Sequence, residues 1–235
     1  MEQIILDKVI YSLDNKLDTP LLVAIHAPQG CGKSTTCSNI QNILQNKGYH
    51  CLIASLDDFY YPYRKMQQTL FEFHDDLYKY RGLAGTHDVQ CLQEFLENVK
   101  QGKNALLPRF NKLLNNGLGD VDNVVQINKK YDVVILEGWM IGYKPRQYIP
   151  SYLRTFNREL EKYQFLHTMF DLWFYFDTDL QHIYDWRYSA EKKMNKEKFD
   201  QFMKPYFIIY SNYLINDSEN KYYLDKTRNI INNPI

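Results

Sequence analysis

The stretch from His26 to Thr36, HAPQGCGKSTT, restricts what this chain can fold into more than any other feature. A loop that grips a polyphosphate is written GxxxxGK[ST]. Gly32, Lys33 and Ser34 fit that pattern, while Ala27 occupies the place of the first glycine. Such a loop works only between a buried strand and a helix. Residues 21–27, LLVAIHA, form a nearly continuous apolar run after Pro20, the pattern of a parallel strand covered on both faces. Residues 33–47, KSTTCSNIQNILQNK, place Ile40, Ile43 and Leu44 on one helical face, and Gly48 follows as a stop. The first motif position ends the strand and has mainly to be small, so alanine serves there. Gly30 and Gly32, by contrast, must let backbone N–H groups turn inward around a phosphate chain. Gly30, Cys31, Gly32, Lys33, Ser34 and Thr35 are therefore the candidate nucleotide-binding loop.

Helix and strand signals alternate beyond this point, which predicts βαβ units. HCLIASLDDFY (50–60) reads as a second strand ending in two acids, and 61–87 reads as irregular. Residues 88–103, DVQCLQEFLENVKQGK, have helical spacing at Leu92, Phe95, Leu96 and Val99. YDVVILEGW (131–139) is a third buried strand and LHTMFDLWFYFDT (166–178) a fourth; a charged, aromatic helical stretch then runs to about Leu214, and KYYLD adds a last strand. The expected fold is α/β, a P-loop NTPase-type parallel sheet flanked by helices, in a single domain over residues 1–235.

Lysine plus arginine (28) equals aspartate plus glutamate (28), so no overall field draws the chain to nucleic acid or membrane, and no basic stripe supports nucleic-acid binding. Cys31, Cys37, Cys51 and Cys91 lack metal-ligand spacing and read as free thiols of a reducing compartment. The N-terminal MEQIILDKVIYSLDNK reads as neither signal peptide nor membrane span, and a cytoplasmic location is expected. Tyrosine is abundant (20), and a coding bias suffices to explain it.

In such a sheet, ligands collect outside the carboxyl ends of the strands. The chain sets its chemistry there. Lys33 is expected to reach the β- and γ-phosphates of ATP and the Ser34 hydroxyl to hold Mg2+, with Glu137, at the end of VVILE, as the second metal-shell group. A small-molecule kinase also needs a carboxylate that takes the proton of a substrate hydroxyl. SLDDFY supplies two. Adjacent strand residues point to opposite faces, so Asp57 is assigned as the base and Asp58 as a supporting hydrogen-bond or metal-shell residue.

These blocks carry a resemblance. LDDFY and ILEG resemble the uridine kinase, phosphoribulokinase and pantothenate kinase superfamily. APQGCGKST, SLDDFY, RGLAGTHD, LPRFNK with GLGD after it, and VVILEGWMIGYKP are similar, in the same order, to the plant-type D-glycerate 3-kinases and their kinase-like relatives, with WRYSAEKK and MKPYFIIY extending the likeness. The resemblance implies an ATP-dependent phosphotransferase with a helical lid at about 179–200 and a small hydroxylated acceptor. It implies Asp57 as acid/base, His87 and Asp88 near the acceptor's hydroxyls, and Arg187 as a lid cation over the phosphates. Asp88 is equally placed to cap the following helix, and Arg187 to pair with Glu191 at i,i+4. Lys192 and Lys193 add further positive charge to the lid.

Glycerate carries a carboxylate, for which Arg81, Arg109 and Lys112 are the candidate cations. Val121 follows Gly119 and Asp120, where the family usually has an arginine. Two other readings stand beside glycerate kinase. One is a kinase of a nucleoside or a pantothenate-like alcohol, framed by Phe59, Tyr60 and Phe110; the other is a regulatory ATP-binding protein without turnover, against which the retention of Lys33, Ser34, Asp57 and Glu137 argues.

Overall fold

The computed structural model describes residues 1–15, 20–191, 194–213 and 220–231. In chain order it builds α1 (Glu2–Asn15), β1 (Leu21–His26), α2 (Lys33–Asn46), β2 (Cys51–Ser55), α3 (Tyr63–Phe73), α4 (Val89–Lys100), β3 (Ala105–Asn111), β4 (Asp120–Ile127) and β5 (Val133–Gly138). It continues with α5 (Arg154–Leu160), α6 (Leu166–Met169), β6 (Leu172–Asp177), α7 (Leu180–Ala190), α8 (Lys196–Asn212), β7 (Lys221–Leu224) and β8 (Ile230–Ile231).

The main sheet runs β2-β5-β1-β6-β7-β8, parallel from β2 to β7 and antiparallel at β8. Every residue of β1 and β5 is buried, as strands covered on both faces must be. One apolar layer gathers Leu22, Ala24 and Leu136 with α4, α5 and α8. The other joins Val23, Ile25 and Ile135 to Ile40 and Leu44 of α2 and to Ile5 and Val9 of α1. Each large apolar side chain so buried contributes roughly 1.5–3 kcal/mol. Among the described residues no helix is long and apolar enough to cross a membrane.

Several elements differ from the sequence-based expectation. The second strand stops at Ser55, and Leu56–Phe59 is a turn of 3-10 helix. Residues 61–87 are not wholly irregular: α3 opens after Pro62, whose fixed φ suits a helix start. In 166–178 the first four residues are the helical turn α6, and the strand begins at Leu172. The long helical stretch is two helices, α7 and α8, and Leu214 lies outside the described residues. The hairpin β3–β4 has no counterpart in the expectation; it pairs Ala105 with Ile127 through to Asn111 with Asp120, with a register shift at Arg109/Phe110.

The RGLAGTHD segment is tied down by aromatic side chains. Trp139 Nε1 donates to the Gly82 carbonyl at 3.0 Å and the Tyr206 hydroxyl donates to the Arg81 carbonyl at 3.0 Å. Gly82 has φ +131°, and a Cβ on it would lie 2.2 Å from the Tyr206 hydroxyl. Gly82→Ala should therefore cost about 2–4 kcal/mol, from backbone strain plus displacement of Tyr206. Urea denaturation measures this, and an unchanged midpoint would contradict the packing described.

Candidate active site

The phosphate-type loop forms as its glycines require. Gly30 has φ +80° and Gly32 φ +96°, the left-handed region open to glycine. Ala27 is fully buried, and its N–H donates to the Gly138 carbonyl at 3.3 Å, so the first motif position sits inside the sheet, where a small side chain fits. Gly32 caps α2 without any side-chain hydrogen bond, leaving the first N–H groups of that helix without a side-chain cap. Lys33 Nζ donates to the Pro28 carbonyl at 3.1 Å, across the loop, and Ser34 and Thr35 are exposed at its mouth. Cys31 is buried, and burial pushes its thiol up, which fits a small filler rather than a nucleophile.

Ser34 Oγ donates to Glu137 Oε1 at 2.8 Å. Glu137 is 5% exposed, and Ser55 and Ile25 flank it in register on β2 and β1. The three strand ends thus bring the phosphate loop, Glu137 and the Asp57 turn to one edge of the sheet.

Because Asp57 and Asp58 lie in a 3-10 turn and not on a strand, it is the cap and not strand alternation that separates them. Asp58 accepts the Ser55 N–H at 2.9 Å while Ser55 Oγ accepts the Asp57 N–H at 3.3 Å, a reciprocal capping box. Asp58 also meets Arg109 at 2.9 Å; burial raises its pKa despite these contacts. Asp57 meets Lys112 at 2.5 Å. Burial alone would raise its carboxyl, but the Lys112 charge and hydrogen bond, with His87 and the Tyr60 hydroxyl, hold it below the usual range. The neighbours thus have opposite shifts.

His87 is fully buried and stacks on Tyr60 with ring centres 4.5 Å apart. The Tyr163 hydroxyl accepts the Gly85 N–H at 3.2 Å and lies 2.8 Å from His87 Nδ1. The other ring nitrogen, Nε2, is a buried atom with no hydrogen-bond partner among the described residues. Burial brings the His87 pKa down to about 4, Asp57 opposing, so the ring is neutral at physiological pH. Asp88 is occupied otherwise: its side chain caps α4 by accepting the Cys91 N–H at 3.0 Å.

Among the candidate cations, Arg109 and Lys112 each face a carboxylate, whereas Arg81 donates through Nη1 to the carbonyls of Gly117 (2.9 Å) and Leu118 (2.8 Å). Its guanidinium lies 5.4 Å over Phe110 and 5.9 Å over Tyr60. Phe59, by contrast, is a core side chain at 1% exposure.

Arg187 combines both of its readings. Its Nη2 meets Glu191 at 2.8 Å, at i,i+4, while its stem lies against the phosphate loop, 3.5 Å from where a Gly30 Cβ would be. Its Nε is buried without a partner among the described residues. Lys192 and Lys193 lie outside the described residues.

The sequence reading missed three groups at this edge. The Tyr210 hydroxyl accepts the Gln29 N–H of the loop at 3.0 Å, and Tyr163 orients His87. Arg228, at φ +67°, donates from Nε to the Gly30 carbonyl at 3.0 Å and lies 4.9 Å over Trp186. Trp186 Nε1 in turn donates to the Lys226 carbonyl at 2.8 Å. Tyrosine abundance was the one visible signal, and it does not say which tyrosines matter.

No family model matches the chain. It is 30% identical over 224 residues to the chloroplastic D-glycerate 3-kinase of Arabidopsis thaliana, an alignment that takes in 83% of this chain and 48% of that protein. The chain thus spans about half the length of the plant enzyme. It is 31% identical to the Probable ATP-dependent kinase TDA10 of Saccharomyces cerevisiae, covering 89% of this chain and 83% of the yeast protein. A solved D-glycerate 3-kinase from Cryptococcus neoformans superposes with a TM-score of 0.87 at 26% identity, over 99% of this chain and 98% of that one.

Sheet order, loop and relatives define an ATP-dependent P-loop kinase, a phosphotransferase with an alcohol group as acceptor. Within that class the chain belongs to the family of D-glycerate 3-kinase and its kinase-like relatives.

The Asp57–Lys112 contact yields a pH prediction. Lys112 lowers the Asp57 pKa, so Lys112→Met should raise it, and the ionised form should be lost at a higher pH than in the parent protein. A carboxyl carbon NMR titration measures this; an unmoved Asp57 pKa would show that the lysine does not set its charge.

Proposed function

We propose that the chain transfers the γ-phosphoryl group of ATP to a hydroxyl of D-glycerate, in the cytoplasm, with Asp57 as the base. The observation that carries this reading is the Asp57 turn, which shares a sheet edge with Lys33, Ser34 and Glu137 and is kept ionised by Lys112. An ATP hydrolase needs only to orient water and has no use for a carboxylate prepared in this way.

In this reading the loop N–H groups from Gly30 to Thr35 and the Lys33 ammonium hold the phosphates. The 2.8 Å Ser34–Glu137 pair fits magnesium, an ion that keeps much of its water shell and uses one or two protein oxygens, and when bound it offsets charge on the phosphate oxygens. Asp57 orients the acceptor hydroxyl and takes its proton. The unpartnered Nε2 of His87 is suited to a hydrogen bond with a second hydroxyl of the acceptor, and Asp58 with Arg109 keeps the turn in shape. Arg81 is the cation suited to the glycerate carboxylate, being anchored by carbonyls and not already facing an acid. Arg187, leaning on the loop and carrying an orphaned Nε–H, is suited to reach the phosphates once it releases Glu191.

The test is ADP release with magnesium and ATP in the presence of D-glycerate, uridine, pantothenate or no acceptor. D-glycerate should raise the rate at least about tenfold over the water background, since the base acts only on a positioned hydroxyl. Stimulation by uridine or pantothenate in place of D-glycerate would overturn the acceptor assignment.

A further inference from the structure

The end of β1 carries a histidine for which the proposed transfer has no use. His26 directly precedes the phosphate loop, is 4% exposed, and accepts the Gly142 N–H on Nδ1 at 3.1 Å. That bond leaves the ring proton on Nε2. Burial foremost, with Lys33, Lys221 and His167 adding, brings the pKa down to about 3, so the ring is an uncharged donor.

His26 lines a cavity of about 300 Å³ between the carboxyl ends of β1 and β6, strand β7, and helices α7 and α8. Leu22 and Ala24, on the same side of β1, belong to the apolar layer opposite α2, so the cavity opens on the other sheet face from that helix. Tyr143 meets the imidazole edge-on with ring centres 4.8 Å apart, and Tyr175 lies tilted at 5.9 Å. Lys221 and Asp177 face each other at 3.1 Å, and Asp179 stands exposed at the mouth. A lining with a neutral imidazole, one ion pair and one further acid has no surplus positive charge for a phosphate. Aromatic walls with a few oriented polar groups suit a flat, neutral ring, and this volume is at the small end of ligand sites.

We propose that this cavity is an accessory binding site for a neutral nitrogen heterocycle of nucleoside size, whose ring accepts a hydrogen bond from His26 Nε2 and whose amino or imino group meets Asp177. The site communicates with the phosphate loop through one wall. Tyr210 lines the cavity, and its hydroxyl accepts the Gln29 N–H of that loop at 3.0 Å. A bound ring that shifts Tyr210 alters the loop, and by reciprocity nucleotide in the loop alters affinity for the ring.

The experiment is calorimetric titration of adenosine, and separately of uridine, into protein saturated with magnesium and a non-hydrolysable ATP analogue. At least one nucleoside should bind one to one. His26→Asn keeps an acceptor for Gly142 while removing the Nε2 donor, and should weaken binding about tenfold. Ser211→Trp, from an exposed position on the cavity wall, should abolish it, and Asp57→Asn should leave it unchanged. The site is overturned by an absence of binding up to millimolar nucleoside, by unchanged affinity in His26→Asn and Ser211→Trp, or by loss in Asp57→Asn. No turnover enters these readings, so they stand apart from the glycerate assignment.

Discussion

Glu137 is a carboxyl group 5% exposed at the end of a strand buried on both faces, and a group so placed is costly unless something meets it. The Ser34 hydroxyl does so, and its position follows from the left-handed turn at Gly32 that starts α2. Parallel register supplies the rest. With β5 between β2 and β1, the loops leaving all three strands emerge side by side, and phosphate-type loop, metal-type carboxylate and acid turn become neighbours without any long excursion of the chain.

The two adjacent acids illustrate how environment divides labour. Asp58 turns inward to the Ser55 N–H and Arg109, and burial lifts its pKa; Asp57 faces Lys112 and is held low. One fixes the backbone and the other is left as a ready proton acceptor, the separation of roles that acid and base chemistry needs from like groups. Both cations come from the same short segment, Arg109 to Lys112, at the β-bulge where β3 leaves its register with β4. The hairpin therefore belongs to the site as much as the P-loop does.

Much of this was legible in the sequence because burial on both faces writes a clear signal. LLVAIH and VVILEG read as core strands, and Leu92, Phe95, Leu96 and Val99 marked the buried side of α4. The hairpin was not legible: β4 is exposed at five consecutive positions, its sequence DVDNVVQI does not alternate polar and apolar residues throughout, and β3 holds Pro108, which argues against a strand except at an edge. The turn at Leu56–Phe59 was ambiguous in the sequence, because adjacent acids at a strand end read as a turn or as chemistry; here Asp58 completes the capping box begun by Ser55. Tyr163, Tyr210 and Arg228 act across 76, 181 and 198 residues of sequence, and no local pattern encodes such contacts.

The central claim is that Asp57 serves the transfer step and not nucleotide binding. Rapid-quench measurement of single-turnover phosphoryl transfer to D-glycerate, beside equilibrium binding of magnesium ATP, tests it in Asp57→Asn. Nucleotide affinity should stay within about twofold while transfer falls by about 10²–10⁴. Transfer at the parental rate in Asp57→Asn would contradict it.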